Sequence, residues 1–222
     1  MNTEQARFNM IEQQIRPWNV LALDVLELLS VVRREAFVPA AYRNLAFFDT
    51  EIPLPGGENM FAPKVEARLL QEAAVKKHED VLEIGSGSGY MAALLAYKGR
   101  HVTTVEIEPA LHAMASANLA AYGIINVDVQ LGNGAQGWGK ENGQPEIEYD
   151  VIMISGGLPF LPDAFLKQIK VGGRIVAILG EAPVMTAQVI TRTGDQTYDT
   201  RIVFDTMARY LQAATELSHF RF

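Results

Sequence analysis

The sequence predicts an α/β fold: a doubly wound, Rossmann-like and mainly parallel sheet with an N-terminal helical cap and an antiparallel C-terminal edge. Three observations carry this. From residue 79 onward, short apolar runs alternate with segments of helix length, the pattern of strands joined by crossover helices. The first run, Val81-Leu82-Glu83-Ile84, leads straight into the glycine-rich turn Gly85-Ser86-Gly87-Ser88-Gly89. The last two runs, at 187–191 and 200–204, alternate in polarity across a short Thr193-Gly194-Asp195 connection, as an antiparallel pair does.

Each element has its own signal. Residues 1–35 read as helical, with Phe8, Ile11 and Ile15 at helical spacing until Pro17 interrupts. A second helix fits 21–32, its apolar set including Leu23, Leu26, Leu29 and Val32. Prolines 53 and 55 and glycines 56 and 57 make the next stretch a loop by turn chemistry, and a helix resumes over 64–75. Strands then fall at 81–84, 102–105, 127–129, 151–154 and 174–179, with helices at 90–97, 109–122 and 162–169. Trp18 and Phe47-Phe48 are expected where the cap meets the sheet. The ending 217–222 alternates like a strand. The whole reads as one domain over 1–222, in which 1–78 form the helical cap and an active-site loop and 79–222 the ligand-binding core.

Composition narrows the chemistry. The 222 residues carry 19 Lys and Arg against 26 Asp and Glu, a net charge of −7, which disfavours broad binding to a phosphate backbone. With no cysteine there is no thiolate catalysis, disulfide or cysteine-ligated metal, and a reducing compartment fits. The N-terminus lacks a basic region followed by an apolar run, and no stretch approaches the roughly 20 apolar residues of a membrane helix. The expectation is a soluble cytoplasmic protein without a metal site; the four histidines are scattered and show no ligand spacing.

The glycine loop lies where the first strand should turn into the first helix, at the crevice end of such a sheet. Its spacing is G-x-G-x-G, neither the G-x-G-x-x-G of a dinucleotide site nor a phosphate loop ending in Gly-Lys-Ser/Thr. Glu83 just before it would repel a pyrophosphate and attract a cation. Glu106, ending the second strand, can accept both hydroxyls of a ribose, and Gly132-Asn133 after the third strand can border an adenine. An aminoacyl group, a ribose and a base with no phosphate between them describe S-adenosylmethionine.

The run Val81-Leu82-Glu83-Ile84-Gly85-Ser86-Gly87-Ser88-Gly89-Tyr90 resembles the cofactor loop of the protein-L-isoaspartate O-methyltransferase family. Val32-Arg33-Arg34-Glu35-Ala36-Phe37-Val38 is similar to that family's V-P-R-E-x-F-V, Phe61-Ala62-Pro63 to its I-S-x-P loop, and 161–174 to its I-P-x-A-L-L-x-Q-L-K-x-G-G-R. The resemblance covers about residues 25–180. It implies a class I methyltransferase fold and transfer of a methyl group from S-adenosylmethionine to the carboxyl of L-isoaspartyl residues, a protein-repair reaction. By motif position it places Glu83, Gly85, Ser86, Gly87 and Gly89 around the methionine end of the cofactor, Glu106 at its ribose, and Gly132 and Asn133 by its adenine, with Ile107 also among the cofactor-binding residues. Met60, Phe61 and Ala62 would form the loop over the reacting groups, with the acceptor approaching between that loop and Ile154-Ser155-Gly156. Ala62 is expected at the family's serine position, without a hydroxyl, and Ser155 is a candidate to replace it. The C-terminal R-F-V-P-L pattern reads Met207-Ala208-Arg209-Tyr210-Leu211; there Arg209 is a solvated tail residue or a partner for a substrate carboxylate. These departures leave two further readings open: a methyltransferase with another small-molecule or carboxyl acceptor, and a cofactor-binding protein with little isoaspartyl activity.

Overall fold

The structure, a computed structural model, describes residues 2–139 and 148–214. The expected strand at 217–222 lies outside them. The chain opens with α1 (Thr3–Met10), capped by the Asn2 side chain, which accepts from the Glu4 and Gln5 amides at 3.1 and 3.4 Å. Pro17 does not end the coil abruptly. A π turn over Ile11–Ile15 and a 3-10 turn over Arg16–Trp18 absorb the missing amide before Asn19 stops the run at φ 64°. After α2 (Leu23–Val31), an irregular stretch leads to the hairpin β1 (Ile52–Pro53) and β2 (Asn59–Met60), then α3 (Pro63–Ala73).

The core follows as β3 (Asp80–Ile84), α4 (Tyr90–Lys98), β4 (His101–Glu106), α5 (Pro109–Tyr122), β5 (Val127–Leu131), β6 (Tyr149–Leu158), α6 (Asp163–Gln168), β7 (Ile169–Glu181), β8 (Val184–Gly194) and β9 (Thr197–Asp205). The seven-stranded sheet has the order β5-β4-β3-β6-β7-β8-β9. Its first five strands are parallel; β8 and β9 append antiparallel.

Alternation along the strands divides the core into two layers. Val81, Val102, Val151, Met153 and Val176 face the cap helices, α3 and α4, while Leu82, Ile84, Ile152, Ile154 and Ile175 face the side of α6, where Phe165 is buried. Where both faces are covered, as in β6 and β7, the strands read as continuous apolar runs. The cap departs from its expected faces at two positions. Phe8 and Leu23 point to solvent, while the other expected residues, Ile11, Ile15, Leu26, Leu29 and Val32, are buried together with Val25 and Leu28. Trp18 does reach the sheet, meeting Phe204 of β9 edge-to-face at 5.3 Å. Of the phenylalanine pair, Phe47 lies under the Arg7 guanidinium and Phe48 is exposed. The strand order reverses at β3, between β4 and β6, and the crevice at that switch point opens at the carboxyl ends of the strands.

Candidate functional site

The floor of the crevice is the glycine loop. Gly85 leaves β3 at φ +92°, and a Cβ there would lie 3.1 Å from the Ser155 carbonyl, so only glycine passes. The loop is held by Glu106 at the end of β4. One carboxylate oxygen accepts the Gly87 amide at 2.9 Å and the other the Glu108 amide at 3.0 Å. Gly89 does different work from that expected. At φ +83° it opens α4, and its missing Cβ lets Ala115 of α5 approach to 3.2 Å, turned away from the crevice.

Glu83 lies fully buried beneath this loop, and both its oxygens are engaged by hydroxyls. Thr104 donates to one at 2.6 Å and Ser155 to the other at 2.8 Å, while Ser86 bonds Thr104 at 2.7 Å. Burial pushes the Glu83 carboxyl up to about 7; the two hydroxyls pull it back and the charge of Glu106 adds to the rise. The Ser155 hydroxyl thus donates to Glu83 from the crevice wall.

The crevice encloses about 720 Å³ of empty space open to solvent. Phe61, Gly85, Gly87, Glu106, Ile107, Gly132, Asn133 and Ser155 all line it. Met60, Glu83 and Ser86 line an adjoining recess of about 330 Å³, reached past Leu54, Asn59 and Phe61. Asn133 uses its side-chain oxygen locally, accepting the Ala135 amide at 3.0 Å. Trp138 packs across Gly132, whose Cβ position would lie 2.6 Å from the indole, and its backbone is clamped by Gln168. It therefore shapes the crevice from behind.

Two further walls complete the crevice. One, which sequence reasoning missed, is the hairpin segment, contributing Glu51, Leu54, Glu58 and Asn59; the other is a C-terminal strap, Arg209 to Gln212, of which only Arg209 was a candidate from the sequence. The strap is pinned to β6, where the Gly157 amide donates to the Arg209 carbonyl at 2.7 Å and the Leu211 amide to the Gly157 carbonyl at 3.0 Å. Leu211 then lies against Gly85 and Gly156. Only the missing side chain at Gly156-Gly157 hinted at such a close approach.

Behind the loop 60–62 sits Arg34, 1% exposed. It is ion-paired with Glu66 of α3, donates to the Phe61 carbonyl at 2.8 Å and the Ala46 carbonyl at 3.1 Å, and lies over the Tyr90 ring. Burial pulls it down to about 10, leaving it cationic at neutral pH. The cap segment around Arg34 thus fixes the loop that overhangs the crevice.

Three carboxylates, Glu51, Glu58 and Glu106, and one cation, Arg209, line the crevice. A dinucleotide pyrophosphate would meet repulsion there; a nucleoside carrying positive charge fits. Among the described residues no cluster of metal-ligating side chains comes together, and no helix is long and apolar enough to cross a membrane.

The family model described as protein-L-isoaspartate(D-aspartate) O-methyltransferase matches residues 5–215. The chain belongs to this family. A protein-L-isoaspartate O-methyltransferase 1 of Rhodopseudomonas palustris (strain HaA2) is 40% identical over 174 residues, spanning 78% of this chain and 69% of that protein. A relative of the same name from Methylorubrum populi is 34% identical over 200 residues, 90% of this chain and 91% of its own. The fold matches a Plasmodium falciparum structure solved in complex with S-adenosyl-L-homocysteine, at a TM-score of 0.78 and 19% identity over 96% of this chain and 99% of that one.

Pro63 is the first residue of α3 and Ala62 its N-cap. Neither Phe61 nor Ala62 offers a hydroxyl. Ala62 leaves α3 without a side-chain cap. Ala62→Ser is therefore expected to stabilise the protein by about 0.5–2 kcal/mol, read as a higher urea midpoint at unchanged m-value.

Proposed function

We propose that this chain transfers the methyl group of S-adenosylmethionine to the carboxyl of L-isoaspartyl residues in damaged proteins. The observation that carries the reading is the crevice itself: a glycine loop tied to a buried Glu106 at the switch point, with a carboxylate-rich lining, in a member of this family. When bound, S-adenosylmethionine supplies a methyl group activated by the sulfonium beside it.

The chain's own residues do the rest. Glu106 keeps lone pairs beyond those used by Gly87 and Glu108, enough to accept ribose hydroxyls. Gly85, Ser86 and Gly87 carry the aminoacyl end, with the Glu83 charge beneath them favouring its ammonium; Ile107, Gly132 and Asn133 border the base. Met60, Phe61 and Ala62 close over the reacting groups and exclude water. The acceptor carboxyl is an anion at neutral pH and needs no general base, so catalysis rests on holding it in line at short range. That agrees with Ser155 being engaged elsewhere. The cysteine-free sequence fits action in the reducing cytoplasm. The hydroxyl-free loop at Phe61 and Ala62 favours a second reading, a smaller carboxyl acceptor on the same machinery.

Calorimetry with S-adenosylhomocysteine tests the cofactor half of the proposal. Glu106→Ala should weaken binding by about 1–3 kcal/mol through unmade charge-assisted bonds; equal affinity in the variant would remove Glu106 from the site. Transfer itself is read by a base-labile methyl ester on an isoaspartyl peptide.

A further inference from the structure

The crevice poses an electrostatic problem for the reaction proposed above. Its acceptor is an anion, yet Glu51, Glu58 and Glu106 face the space it must enter. At the separations of a cleft this size, unscreened carboxylates repel a fourth by an amount that matters. Arg209 is the one cation among the described residues lining the crevice or its adjoining recess.

Arg209 is also placed and unspent. Its backbone is held to β6 through Gly157, and Tyr210 beside it donates to the Gly180 carbonyl at 2.9 Å, so the strap carries the side chain at a fixed point on the crevice wall. Of its five N–H donors only Nη1 is used within the described residues, on the Gly57 carbonyl of the facing loop. It forms no ion pair there. The nearby glutamates take amide partners instead: Glu58 accepts from Gln212 at 3.0 Å and Glu51 from Asn59 at 3.1 Å. Across from Arg209, the loop 60–62 has no hydroxyl to offer the acceptor.

We propose that Arg209 is a substrate-binding residue that anchors the acceptor's carboxylate. The planar fork of a guanidinium matches a carboxylate, and each carboxylate oxygen it holds retains a second lone pair for the methyl group. The inference rests on the isoaspartyl reading and adds to it the residue that receives the anion.

The test compares wild type, Arg209→Ala and Arg209→Lys on an isoaspartyl hexapeptide and on its twin bearing an α-carboxamide. Arg209→Ala should raise KM for the isoaspartyl peptide by about tenfold or more, with Arg209→Lys intermediate. Inhibition by the carboxamide twin and calorimetric affinity for S-adenosylhomocysteine should stay within about twofold. An unchanged KM overturns the proposal. So does an equal loss for peptide, twin and S-adenosylhomocysteine, which would make Arg209 a brace for the Gly57 loop. A wild-type protein that binds S-adenosylhomocysteine but neither binds nor methylates the isoaspartyl peptide overturns the parent reading and this one together; an active wild type with an indifferent Arg209→Ala overturns this one alone.

Discussion

Replacing Arg34 with methionine is expected to cost about 3–5 kcal/mol of folding stability. The side chain is buried, and its loss would strand the Glu66 carboxylate, itself 4% exposed, without its counter-charge. It would also leave the Phe61 and Ala46 carbonyls without a donor and remove the cation from the Tyr90 ring. Methionine fills much of the volume, so the cost is chiefly electrostatic. Adding Glu66→Leu should therefore recover a large part of it, because removing both partners deletes the unpaired charge. Urea unfolding of the two variants reads this directly. A loss under about 1 kcal/mol, or no recovery in the double variant, would mean the pair is not coupled as described. Because Arg34 also holds the Phe61 carbonyl, the single variant should loosen the crevice loop.

A second large effect belongs to Glu83. Its carboxyl titrates at about 7 in the fold and near 4.5 in the unfolded chain, so between those values the native state holds the extra proton. The stability this contributes is fully present below pH 4.5 and is lost as pH rises through 7, a change on the order of 3 kcal/mol. Other carboxylates here, Glu79 beside Arg174 and Asp150 beside Lys170, are depressed and act at lower pH with the opposite sign. Comparison with Glu83→Gln isolates the one group. Wild type should lose stability relative to the variant between pH 5 and 8, measured by urea unfolding at both; parallel profiles would refute the buried, hydroxyl-held carboxyl. A cationic ligand favours the ionised form, so affinity for S-adenosylmethionine should rise over the same interval in wild type only.

Local signals were the legible ones. Strands β6 and β7 were readable because burial on both faces leaves the apolar runs Val151–Ile154 and Ile175–Leu179, and the glycine loop because a backbone at φ +92° against the Ser155 carbonyl excludes a side chain. Glu106 was readable from its strand-end position, although its grip on the Gly87 amide was not. What escaped depends on contacts distant in sequence. Nothing local says that Arg209 meets Gly57 or that Leu211 lies on Gly85. The burial of Glu83 is set by Thr104 and Ser155 on neighbouring strands, and that of Arg34 by Glu66 a helix away. In the cap, periodicity found the buried Ile11, Ile15, Leu26, Leu29 and Val32 but also took in Phe8 and Leu23, which are exposed.

The most direct test of the central claim is transfer of a labelled methyl group from S-adenosylmethionine to an isoaspartyl peptide beside its ordinary aspartyl twin. A base-labile ester is expected on the isoaspartyl peptide alone, releasing volatile label on mild alkaline treatment. Binding of S-adenosylhomocysteine with no ester on either peptide would contradict the claim.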